Sequence, residues 1–240
     1  MTISEHIQRV QEQITTACAR AGRDPSEVTL VAVSKTHPAA AVLAAVEAGL
    51  QHFGENRVEE ASEKLPVVNQ QVSAPLTWHM IGHVQSRKAK LVLPLFDVVH
   101  SVDSVKLAEK FSMLAGEQGQ TLDILLEVNV SGEASKYGFE ASGWERDAAV
   151  REAFIQQVAG VNALPGLRLR GLMTMAPIMV EAEQTRPVFA SLAGLRATLV
   201  EALTIELPEL SMGMTDDYPV AIEEGATLVR IGRAIFGERN

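Results

Sequence analysis

Cysteine is all but missing from this 240-residue sequence, which carries a single one, Cys18. One thiol cannot close an internal disulfide or build a cysteine-based metal cluster, and so little cysteine in a chain of this size points to an intracellular protein. The plainest expectation for Cys18 is a buried small hydrophobe. Aromatic residues are scarce at 5%, and no stretch approaches the ~18 uninterrupted apolar residues of a membrane span. Positive charge is the minority sign. With 21 Lys and Arg against 30 Asp and Glu the formal charge is −9, which argues against gripping a phosphate backbone over a broad face. Residues 1–6 are polar and helical in pattern, with no basic stretch leading into an apolar run. The expectation is a cytoplasmic, unanchored protein with neither nucleic acid nor membrane as partner. What is present, 47% hydrophobic and 21% charged residues at a mean hydropathy of +0.09, suffices for a large core and excludes disorder and fibrous structure.

The first segment spaces Ile3, Ile7, Val10, Ile14 and Cys18 at three- and four-residue steps, with Thr2 and Glu5 set as a capping box and Gly22 as a stop, which predicts an amphipathic helix. A rhythm of short apolar, β-branched runs follows, each succeeded by an Ala-rich or Glu-rich helical stretch. The runs cover 28–33, 51–54, 77–82, 97–102, 121–130, 167–175, 209–214 and 227–231. Leu30-Val31-Ala32-Val33 and Ile124-Leu125-Leu126 do not alternate apolar with polar, as expected of strands buried on both faces of a parallel sheet. Eight such units in a chain near the usual ~250 residues predict a single (β/α)8 barrel domain over 1–240 with an extra N-terminal helix. An open dinucleotide-binding sheet would want G-x-G-x-x-G after its first strand, where Ser34-Lys35-Thr36-His37-Pro38 has no glycine. The stretch 131–144 reads as a long polar loop of the kind that often carries function.

In such a barrel the working residues sit on the loops after the strands. There the unusual polar groups gather: Lys35; Glu55, Asn56 and Arg57; His79 and His83; Lys136; 211–215; and Arg230 to Arg233. An amine at an apolar strand end can lose hydration, fall in pKa and become a Schiff-base nucleophile, although a lysine at such a place usually just reaches water. The late strands supply the context. Ser211 offers a hydroxyl, and Gly213 and Gly232 let backbone N–H groups approach an anion, while Thr215, Asp216, Asp217 and Pro219 equally suit the start of a helix. Barrel closure makes the first and last strands neighbours, so Lys35 and Arg230 should face one cavity. An amine, an anion nest and a cation complement pyridoxal 5′-phosphate (PLP). A guanidinium beside the pyridine nitrogen donates, so that nitrogen stays an acceptor and the ring becomes a poor electron sink.

The residues also resemble the pyridoxal phosphate homeostasis protein family. The resemblance rests on Val31-Ala32-Val33-Ser34-Lys35-Thr36, Phe53-Gly54-Glu55-Asn56, Trp78-His79-Met80-Ile81-Gly82, Gln85-Ser86-Arg87-Lys88 and His100-Ser101-Val102-Asp103. It continues through Val128-Asn129-Val130-Ser131, Ser135-Lys136-Tyr137-Gly138, Gly171-Leu172-Met173-Thr174-Met175, Leu210-Ser211-Met212-Gly213-Met214-Thr215-Asp216-Asp217 and Val229-Arg230-Ile231-Gly232-Arg233-Ala234-Ile235-Phe236-Gly237. It implies a barrel like the N-terminal domain of alanine racemases, holding PLP without established catalysis. It also implies an internal aldimine on Lys35, Arg230 at the pyridine nitrogen, Ser211 with the turn at Gly232 and Arg233 on the phosphate, and Asn56 near the ring. Thr215 stands where serine is commoner, and Arg233 where threonine or serine is common, which leaves the backbone N–H of Arg233 as its secure contribution. The function expected is buffering or delivery of PLP within vitamin B6 homeostasis, with PLP-dependent apo-enzymes as partners and the chain a monomer or weak dimer.

A fold-type III racemase or decarboxylase is the main rival. It needs a second acid/base group across the cofactor, which such enzymes take from an added β-rich domain, and none is expected after Asn240. A class I aldolase would want carboxylates around the lysine, which Lys35 lacks in sequence. Lys136 and 86–90 read first as solvated surface. His79 and His83, four apart but on either side of Gly82, do not read as a helical metal pair, so no metal is implied.

Overall fold

The computed structural model describes residues 1–133, 135–177 and 179–238. In chain order it contains α1 (Ile3–Ala21), β1 (Thr29–Val33), α2 (Ala39–Glu47), β2 (His52–Glu55), α3 (Val58–Asn69), β3 (Thr77–Met80), α4 (Ala89–Val92), β4 (Val98–Val102) and α5 (Val105–Gln118). The second half holds β5 (Leu122–Asn129), β6 (Phe139–Glu140), α6 (Ala148–Asn162), β7 (Leu167–Met173), α7 (Arg186–Leu203), β8 (Glu209–Ser211), α8 (Tyr218–Glu223), β9 (Leu228–Ile231) and α9 (Arg233–Phe236). All strand pairs are parallel and run in the order β4-β3-β2-β1-β9-β8-β7-β5, with β4 pairing β5 to close the ring. The eight expected strands therefore form one closed barrel with helices around it.

Strand ends differ from the sequence reading in one direction. The runs expected to reach Gly82, Met175 and Met214 stop pairing regularly at Met80, Met173 and Ser211. Beyond those points the backbone turns toward the loops, although single ladder bonds persist, such as Ile81 N–H to Glu55 O and Thr174 N–H to Ser211 O. The long loop over 131–144 is also not wholly irregular: β6 pairs with the end of β5 through Val128↔Phe139 and Asn129↔Glu140. A two-residue strand is too short to show any period.

The packing follows from the two-sided burial the sequence suggested. On the outside, Ala32, Phe53, Val99, Leu126, Leu172 and Val229 join the helices in one large apolar cluster. On the inside, Val31, Leu125, Met173 and Leu228 fill the lumen as a small separate cluster. Alternation then dictates that Arg230, two residues past Leu228, also points inward. The N-terminal helix behaves as its spacing predicts: Thr2 Oγ1 accepts from Glu5 N–H at 3.2 Å, Glu5 returns an acceptor to Thr2 N–H at 2.7 Å, and Gly22 ends it at φ 66. Its buried face is Ile7, Val10, Ile14, Ala17 and Cys18, so Cys18 is the core hydrophobe expected. Arg20 to Glu223 at 2.6 Å and His6 to the carbonyl of Ile235 at 2.9 Å tie α1 to α8 and α9. That fixes the chain end that carries Arg230 and Gly232.

Candidate functional site

The loop after β1 rests on buried charges. Ser34 donates its hydroxyl to Glu55 Oε1 at 2.7 Å, and Lys64 Nζ reaches Ser34 O at 2.8 Å, Glu55 Oε1 at 2.9 Å and Glu60 Oε1 at 2.7 Å. Glu60 in turn accepts from Thr36 N–H at 2.5 Å, and Thr36 adopts φ 67. Burial pushes the Glu55 carboxyl above its ordinary range, with Lys64 and Ser34 pulling it back. The residues on either side of Lys35 are thus held by one ion-paired platform, and Lys35 itself is half-buried.

Lys35 shares a cleft of about 290 Å³ with Val33, His37, Gly232, Arg233, Gly237 and Glu238. β1 and β9 are neighbours in the ring, which places the early amine beside the late turn although most of the chain lies between them. Gly232 closes the approach: a Cβ there would meet the carbonyl oxygen of Val33 at 3.2 Å. The side chain of Arg233 turns to Asp216, at 2.5 and 2.6 Å, and to Glu238 at 3.4 Å.

Arg230 lies one layer deeper. It pairs in register with Val31, four residues before Lys35, and it is not among the walls of that cleft. Its Nη1 donates to Ser211 Oγ at 2.5 Å and its Nη2 to Thr174 O at 3.0 Å, with 4% of the residue exposed. Burial lowers the guanidinium to about 10, opposed by Asp217 and Glu127. It remains a cation at neutral pH. Gly213 accepts from the backbone N–H of Arg230 at 3.0 Å and has φ 90; a Cβ there would meet Ala221 Cβ at 2.6 Å. Only glycine meets both demands. The turn after it also starts a helix, as Pro219 suggested: α8 follows Asp217, whose carboxylate closes the preceding turn by accepting Met214 N–H at 2.6 Å.

Of the sequence candidates, Lys35, Gly232 and Arg233 come together in the cleft, while Ser211, Gly213 and Arg230 form a second group in the barrel wall beneath it. Asn56 is half-buried after β2 and borders a separate small hollow with His83 and Lys88. His79 and His83 part company: His79 turns into the barrel, and His83 bonds Asp103 at 3.0 Å and stacks on Tyr137. Lys136 is not the solvated loop lysine expected, because its ammonium donates to Met175 O at 3.2 Å and Ala176 O at 3.0 Å and so ties two loops together. Sequence reasoning passed over Lys64, Glu60, Glu127, His52 and the inward role of His100. Glu127, 4% exposed, is pushed up to about 7, chiefly by burial and then by Asp103, against Arg230 and Lys136. A carboxyl or imidazole in a strand buried on both faces is the signal that would have found Glu127, His79 and His100.

The sequence model of the alanine racemase N-terminal domain matches residues 6–240. A pyridoxal phosphate homeostasis protein of Pseudomonas aeruginosa is 45% identical over 239 residues, covering 100% of this chain and 96% of that one. The chain belongs to the pyridoxal phosphate homeostasis protein family. The structure of PipY from Synechococcus elongatus with PLP bound superposes at a TM-score of 0.81 with 36% identity, covering 98% of this chain and 100% of that one. An alanine racemase of Clostridium difficile shares the fold alone, at a TM-score of 0.71 and 14% identity, with 96% of this chain covering 56% of the racemase. The homeostasis family thus has the barrel of the racemases, and in this member the strand ends carry the lysine and the glycine turn just described. No helix among the described residues is long and apolar enough to cross a membrane.

Proposed function

We propose that this chain is one PLP-binding domain that holds the cofactor at Lys35 and buffers or delivers it within cytoplasmic vitamin B6 homeostasis. The observation that carries this reading is the single cleft shared by Lys35 and the Gly232–Arg233 turn. The residues present fit the group. The cleft is of the size a small cofactor needs, a glycine allows close approach of the backbone, and Lys35 brings an amine to it. When bound, PLP supplies an aldehyde that links reversibly to amines.

The chain's own part is to hold and orient. Lys35 presents its amine from a loop pinned by Glu55, Lys64 and Glu60. The backbone N–H groups at Gly232 and Arg233 would hold the phosphate, with Ser211 and Gly213 in the wall beneath. Asn56 borders the neighbouring hollow and is not among the walls of this cleft. Arg230, in the barrel wall beneath the cleft, would hold the ring nitrogen as an acceptor, which would disfavour carbanion chemistry while leaving amine exchange intact. PLP-dependent apo-enzymes are the proposed recipients. The 45% identical relative is named for homeostasis, which supports a binding role over racemase or decarboxylase activity.

Visible absorbance before and after borohydride treatment, with a mass map of the reduced adduct, tests the reading. The expected result is a PLP adduct on Lys35, lost with the yellow colour in Lys35→Ala while the fold stays nearly intact. An unchanged spectrum in that variant overturns it. An amino-acid racemisation assay on the same sample tests the catalytic alternative, which robust turnover would favour.

A further inference from the structure

Three histidines climb the inner wall of the barrel one strand at a time. His52 opens β2 and pairs in register with Thr77; His79 lies two residues further along β3 and pairs with Val98; His100 lies two further along β4. Two-residue steps keep all three rings on the inner face while the stagger of the strands raises each above the last. His52 Nδ1 is 3.1 Å from His79 Nε2, and His79 Nδ1 is 2.8 Å from His100 Nε2. His100 Nδ1 then crosses the lumen to Ser211 Oγ at 2.8 Å, and Ser211 Oγ accepts from Arg230 Nη1 at 2.5 Å. His52 is half-buried and borders an open cleft with Gln11, Ile14 and Leu50. His79, His100 and Ser211 are enclosed, at 2%, 0% and 0% exposure.

Proton counting gives the chain one direction. A guanidinium has only donors, so Ser211 Oγ must accept from Arg230. The hydroxyl's own proton then goes to His100 Nδ1, His100 donates from Nε2 to His79 Nδ1, and His79 donates from Nε2 to His52 Nδ1. The opposite set of tautomers would leave the Ser211 proton without an acceptor among the described residues, in a fully buried place where that is costly. Neutral rings suit the site as well. Burial brings His79 down to about 3, and burial with His79 and Arg230 nearby lowers His100 well below its usual value.

We propose that His100, backed by His79 and His52, is a positioning residue that sets the hydroxyl of Ser211 as a fixed acceptor and so aims the Arg230 guanidinium at the cofactor ring. The proposal rests on the PLP reading above for the ring, and on the hydrogen-bonded chain alone for the tautomers. The role differs from packing because it depends on which nitrogen carries the proton. His100→Leu keeps an apolar side chain of moderate size but ends the chain, freeing Ser211 to rotate and Arg230 to swing. His100→Asn returns an acceptor toward Ser211.

The first experiment is long-range 15N NMR of the histidines in the full chain without PLP. The expected result is a neutral Nε2–H tautomer at His79 and His100 that persists through about pH 6.5, where a free imidazole titrates. An imidazolium or an Nδ1–H tautomer at either ring overturns the chain whatever the cofactor does. The second is PLP binding followed by the visible band and its pH titration. We expect His100→Leu and Ser211→Ala each to weaken retention by about tenfold or more and to shift the band, and His100→Asn to recover most of both. Unchanged affinity and band in both Ser211→Ala and a folded His100→Leu overturn the positioning role. Absence of a Lys35 adduct in the parent instead overturns the cofactor reading, and the role toward the ring with it, even where the tautomers are as expected.

Discussion

Two polar regions underlie the cleft, and they are built on opposite plans. Beneath Lys35 the protein buries charge: Lys64 sits among Glu55, Glu60 and the Ser34 carbonyl, with 7% of its side chain exposed. Beneath Arg230 it buries neutral groups: two imidazoles, a hydroxyl and the Thr174 carbonyl. The contrast follows from what each region supports. The β1 loop carries backbone donors and acceptors that an ion pair can grip from one side, and a carboxylate taken out of water needs a cation beside it. Arg230 is already a cation in a closed lumen, so a further positive charge there would be repelled, and neutral rings give it an acceptor through Ser211 without adding one. Charge is used to pin a loop; neutral hydrogen bonds are used to aim a charge.

Lys64→Met attacks the charged region at its centre and carries the largest expected effect. Glu55 would keep a buried carboxylate without its ammonium, and chemical denaturation should report a loss of about 3–5 kcal/mol. A loss under about 1 kcal/mol would mean that water reaches Glu55 and that the two regions do not differ in kind. Combining it with Glu55→Gln should recover most of the stability.

Glu127, which stands near Arg230, sharpens the contrast through pH. Its folded carboxyl sits at about 7 against an ordinary 4.5, so the folded state holds the proton more tightly than the unfolded one. As far as this group is concerned, stability is highest below pH 4.5 and falls as pH rises to about 7, by about 3 kcal/mol. Urea midpoints across that window should show the fall in the parent, and Glu127→Gln should flatten it. A parent curve that already lacks the slope would place Glu127 in contact with water.

Within the neutral region the effects should grade along the chain. Ser211→Ala removes a partner from both Arg230 and His100 and should cost about 1–3 kcal/mol, whereas His52→Ala, at the half-exposed end, should cost less than about 1.5 kcal/mol. A larger loss at His52 would reverse the order and show the chain to be anchored at the other end. The smallest change is Thr2→Ala, at about 1 kcal/mol, which removes the α1 cap far from both regions and serves as a measure of ordinary local loss.

Much of this could be read before folding. The two-sided apolar runs announce parallel strands, their number announces the barrel, and Lys35, Gly213, Gly232 and Arg230 stand out as residue types that apolar strand ends do not need. The rest was hidden for specific reasons. Lys64 sits in a Glu-rich helix and looks like surface, because nothing local reveals that Glu55 lies against it. His79 and His100 are ordinary residues in isolation, and their meaning appears only when neighbouring strands stack them two residues apart. Lys136 falls in a polar loop, and the carbonyls it holds come from the distant loop after β7.

The one-dimensional pattern of this protein decided its class, its closed ring of strands and the end of that ring where chemistry gathers, because periodicity and residue type act over a few neighbours at a time. The register that sets Arg230 a layer below Lys35, and the stacking of the histidines that gives their protons a direction, were decided by the tertiary structure alone. Those depend on contacts between residues tens to hundreds of positions apart, where strand stagger and burial, not local spacing, determine which groups meet.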